Sequence, residues 1–78
     1  MKKLKCWKKV TDTQKLVEFE HICNHYNGGL VQVHRNDSFL PPWRTSLHFD
    51  RKFVKDDLST TKTKALSVAE TFMEGYIC

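Results

Sequence analysis

Residues 43–50, WRTSLHFD, alternate strictly. Trp43, Thr45, Leu47 and Phe49 fall on one side, and Arg44, Ser46, His48 and Asp50 on the other. Only an extended strand with one buried face makes use of that period of two. Some fifteen residues later the period changes. Ala65, Val68, Ala69, Phe72, Met73 and Tyr76 recur at helical spacing and make one apolar stripe. A chain that switches from period two to period 3.6 once, late, must cover a sheet with a single helix. Ser59, Thr60 or Thr61 can cap the N-terminus of that helix, and Gly75 marks its end.

The segment before residue 43 adds three more strands. LKCWKKV (4–10) and LVEFEHI (16–22) flank the polar turn TDTQK and predict a hairpin. NHYNGG (24–29) is a turn, because Asn and Gly tolerate positive φ, and LVQVHR (30–35) is the third strand. NDSFLPP (36–42) is a loop, since two prolines cannot join a central ladder. The expected fold class is α+β, a ββββα domain spanning residues 1–78. Its four-stranded, mostly antiparallel sheet carries the C-terminal amphipathic helix on one face. Alternation places Trp7, Val17, Phe19, Cys23, Val31, Val33, Trp43, Leu47 and Phe49 under the helix. Cys6, Lys8, Glu18, Glu20, Gln32, His34, Arg44, Ser46 and His48 fall on the open face. A Lys8–Glu18 cross-strand pair follows from this arrangement.

A chain of 78 residues makes one domain, and at this size only about 60% of the unfolded surface is buried. No apolar run approaches the roughly 20 residues of a membrane helix. The positive start, MKKLKCWKK, lacks the apolar stretch of a signal peptide. Cys6, Cys23 and Cys78 are odd in number, which favours free thiols in a reducing compartment. The expected location is therefore cytoplasmic, with no membrane contact. Cys78 stands last and cannot form a prenylation box.

Charge is unevenly spread. Residues 1–15 hold six lysines and one aspartate, +5, whereas the remainder sums to −1. Lys2, Lys3, Lys5, Lys8 and Lys9 surround Trp7, a pattern that can track a phosphate backbone, and Arg44 is the further cation assigned to the same contact. Aromatic residues alternate onto the covered face, which argues against a stacking platform and leaves the cations as phosphate contacts. The plainer reading is a lysine-protected edge strand.

Four other features bear on function. In HICNH (21–25), His21, Cys23 and His25 are metal-ligand types, but no second ligand pair accompanies them, so no metal site is expected. No nucleophile turn or oriented histidine marks a catalytic centre, and neither an enzyme nor a cofactor is expected. In STTKTK (59–64), Thr60, Thr61, Lys62 and Lys64 at a helix start form a weak anion-binding candidate, although Asp56 and Asp57 upstream can supply the negative charge instead. FLPPW (39–43) is either a partner-binding loop or a cover over one end of the core. The leading expectation is a small non-enzymatic binding module that contacts nucleic acid, DNA or RNA, through Lys2, Lys3, Lys5, Lys8, Lys9 and Arg44. The alternative is a protein-interaction or homodimerisation module.

Overall fold

The computed structural model describes residues 6–22 and 28–76. Five strands precede one helix: β1 Trp7–Asp12, β2 Leu16–His21, β3 Leu30–Arg35, β4 Trp43–Phe49, β5 Lys52–Ser59 and α1 Lys62–Glu74. The strands lie in sequence order, each antiparallel to its neighbour. The short connections between successive strands favour antiparallel pairing of neighbours. The class is α+β, as the change of period requires, but the sheet has five strands rather than four.

The extra strand, β5, is an edge. Seven of its eight residues are exposed, so neither face selects for apolar residues and the alternation that marks β4 is missing. A bulge hides it further. Leu47 faces Lys55, His48 faces Phe53, and Val54 is the surplus residue between them. A second bulge, at Val10, shifts the first hairpin, so that Lys9 faces Phe19 while Thr11 faces Glu18. β1 therefore runs on to Asp12, and Lys8 stands opposite Glu20 rather than the expected Glu18.

The helix-side face follows the expected alternation. Val17, Phe19, Val31, Val33 and Leu47 are buried under Ala65, Ala69 and Met73 of α1, with Trp7 and Trp43 closing the core. Thr45, also buried, donates from Oγ1 to the Ala65 carbonyl at 3.0 Å, which satisfies the one hydroxyl that β4 turns inward. Thr61 is the N-cap and accepts from Lys64 N at 3.2 Å. At the other end of α1, Trp7 Nε1 donates to the carbonyls of Met73 (3.1 Å) and Tyr76 (3.2 Å). His21 Nε2 donates to the Tyr76 carbonyl at 2.7 Å. Side chains of β1 and β2 thus occupy carbonyls that a helix terminus leaves without intrahelical partners.

Gly28 holds φ +71°, and a Cβ there would come within 2.9 Å of the Asp50 nitrogen, so this position requires glycine. Cys6 is disulfide-bonded, which corrects the expectation of three free thiols and removes the thiol argument for a reducing compartment. Cys23 and Cys78 lie outside the described residues. Among the described residues, no helix is long and apolar enough to cross a membrane.

Candidate functional site

The structure divides the cations that stand together in the sequence. Lys2, Lys3 and Lys5 lie outside the described residues. Lys8 and Lys9 are both exposed on β1, but alternation sends them to opposite faces. Lys8 faces Glu20 on the open side, and Lys9 faces Phe19 on the helix side. Lys9 Nζ lies 3.2 Å from Asp12 Oδ2, with both side chains about half exposed, a pairing of little energetic weight. Arg44 is on β4, with β2 and β3 between it and β1. Its Nε donates to Asp56 Oδ2 at 2.7 Å. The structure does not bring Arg44 to Lys8 or Lys9.

The helix-start candidate is engaged internally. Thr61 Oγ1 serves as the cap, and Lys62 Nζ donates to the Thr13 carbonyl at 3.2 Å, joining α1 to the β1–β2 turn. Thr60 and Lys64 are exposed beside them. The first turn of α1 holds no acid. Asp56 and Asp57, expected to balance the lysines there, lie on β5. Asp56 accepts from Arg44, and Asp57 Oδ1 accepts from Leu58 N at 2.9 Å.

Of HICNH, His21 is a buried anchor for α1, its ring edge-on to Trp7 at 4.7 Å between centroids. Cys23 and His25 lie outside the described residues, among which no three His, Cys, Asp or Glu side chains gather as a metal site. FLPPW divides. Trp43 joins the core, while Leu40, at 96% exposure, projects from a loop closed by Asn36 N donating to the Pro42 carbonyl at 2.8 Å.

The feature missing from the sequence-based expectation is β5. Phe53 (50% exposed), Val54 (45%) and Leu58 (45%) line an edge strand that has no neighbouring strand on its outer side among the described residues. Contrary to the expectation that aromatics stay on the covered face, Phe53 lies beside His48 on the open face. Their rings are edge-on at 5.9 Å, and the Arg44 guanidinium carbon is 5.8 Å from the Phe53 centroid. Two rows cross the sheet here. One is Leu16, His34, Arg44 and Leu58, and the other is Glu20, Leu30, His48 and Phe53. Between them Gln32 Nε2 donates to Glu18 Oε2 at 2.7 Å. A sequence signal for β5 existed in Phe53, Val54 and Leu58, three apolar residues between a turn and a helix cap, although the charges around them mask it. The open face mixes acids with cations; β2 and β3 each contribute one leucine to it, β4 contributes no apolar residue, and β5 contributes Phe53 and Leu58. No protein-family model matches the chain, and neither the curated proteins nor the solved structures give a significant match.

Proposed function

We propose that the chain is a small non-enzymatic binding module whose contact with a protein partner runs along β5 and the adjoining open face. The observation that carries this is the eight-residue edge strand with Phe53, Val54 and Leu58 about half exposed. An edge strand offers a row of backbone donors and acceptors to an extended segment, and apolar side chains beside it add affinity and register. Affinity capture with the native chain and with a Phe53→Ser/Leu58→Ser double variant tests this. A partner held by the first and lost from the second supports the reading; one held equally by both moves the contact away from β5.

The nucleic-acid reading keeps one observation in its favour, the +5 carried by residues 1–15. In that reading Lys2, Lys3, Lys5, Lys8 and Lys9 contact phosphates, and Arg44, paired with Asp56, drops out of the set. Anisotropy with labelled DNA and RNA at two salt concentrations separates the readings. Phosphate contacts give binding that weakens steeply with salt and is flattened by Lys5→Ala/Lys8→Ala/Lys9→Ala. As to compartment, a disulfide at Cys6 supports an oxidising environment over the cytoplasmic location expected from the cysteine count.

A further inference from the structure

The sheet has two edges, and their charges differ. β1 offers Lys8 and Lys9, with Asp12 already beside Lys9, and a bulge interrupts it at Val10. β5 reads KFVKDDLS, with Lys52 and Lys55 in its first half and Asp56 and Asp57 in its second. A second copy laid antiparallel on β5 brings each positive half onto a negative half. Charge complementarity therefore selects a copy of the same chain as the occupant of this edge.

The pleat limits the register, and the bulge at Val54 leaves the regular stretch from Lys55 to Ser59 for pairing. Residues opposed across an antiparallel pair point to the same face. Lys55 faces Leu47 and Asp57 faces Thr45, which places both on the helix side, where Lys55 Nζ sits 4.8 Å from the Phe72 ring centroid. Asp56 and Leu58 face Ser46 and Arg44 on the open side. A dyad at Lys55 opposes two lysines, and a dyad at Asp57 opposes two aspartates. A dyad at Asp56 sets Lys55 against Asp57 of the second copy twice, and Leu58 beside its Val54 twice. The two Asp56 carboxylates that then meet each accept from an Arg44 at 2.7 Å.

We infer that two copies of this chain join through β5, antiparallel and centred on Asp56, into one continuous sheet with both helices on the same face. This rests on the reading of β5 as the contact edge. The test is sedimentation velocity of the purified chain from micromolar to millimolar concentration. The expected result is a mass rising toward twice the monomer's. Lys55→Asp alone and Asp57→Lys alone hold the chain monomeric, and the double exchange restores the dimer. In the native chain, amide exchange across residues 52–59 slows as concentration rises, a readout that needs no variant. A monomer at millimolar concentration, a dimer that both single variants keep, or a folded double variant that stays monomeric overturns the inference. A monomer overturns it alone, because contact with a foreign partner at Phe53 and Leu58 is judged separately by capture.

Discussion

Asp50 and Arg51 make the two-residue loop between β4 and β5, and both hold positive φ, 50° and 64°. Loops of this length match the twist of the strands when both residues are left-handed, which is why Asp-Gly and Asn-Gly dominate them. Asp tolerates the conformation, whereas Arg has no local hydrogen bond that offsets its Cβ clash, at roughly 1 kcal/mol. Arg51→Gly should therefore stabilise the fold by about 1 kcal/mol, seen as a higher urea midpoint at unchanged slope. An unchanged or lower midpoint would mean that Arg51 contributes more than its backbone strain costs. The same residue explains a gap in the sequence-based expectation. With Asp-Arg in place of Asp-Gly the hairpin lacks the usual turn signature, which leaves Phe53, Val54 and Leu58, set among charges, as the sequence signal for a fifth strand.

At the scale of elements, α1 was the most legible, because its stripe meets the sheet on one side and nothing else competes for it. Ala65, Ala69 and Met73 are buried, with Phe72 and Tyr76 partly so. Its anchoring was not legible, since no local pattern reveals that an indole and an imidazole 55 to 69 residues earlier cap its last carbonyls. Trp7→Phe keeps most of the buried ring and removes the donor shared by Met73 and Tyr76. Met73 O keeps Tyr76 N and Tyr76 O keeps His21 Nε2, so the expected loss is that of a shared hydrogen bond, about 1 kcal/mol, measured by urea unfolding. The bounds of β2, β3 and β4 are legible to within about a residue because each is buried on its helix-side face. β1 and β5, the edges, were displaced and missed respectively, because exposure on both sides removes the constraint that writes a period into the sequence.

For the molecule as a whole, a disulfide at Cys6 joins it to another cysteine. Iodoacetamide should accordingly add at most one group to the unreduced chain and three after reduction, read by intact mass. Uptake of three without reductant would return the chain to a reducing compartment. The lysine set shows how little adjacency in sequence says about a surface. Lys8 and Lys9 are neighbours in the chain yet stand on opposite faces, and two strands separate them from Arg44. The strand order also has a consequence for synthesis. Every strand emerges from the ribosome before residues 62–74, and α1 packs across β3, β4 and β5. Until those residues emerge, Val31, Val33 and Leu47 have nothing to cover them. Hairpins formed before then leave their greasiest surface in the open, the kind of transient exposure from which aggregation starts and against which chaperones act.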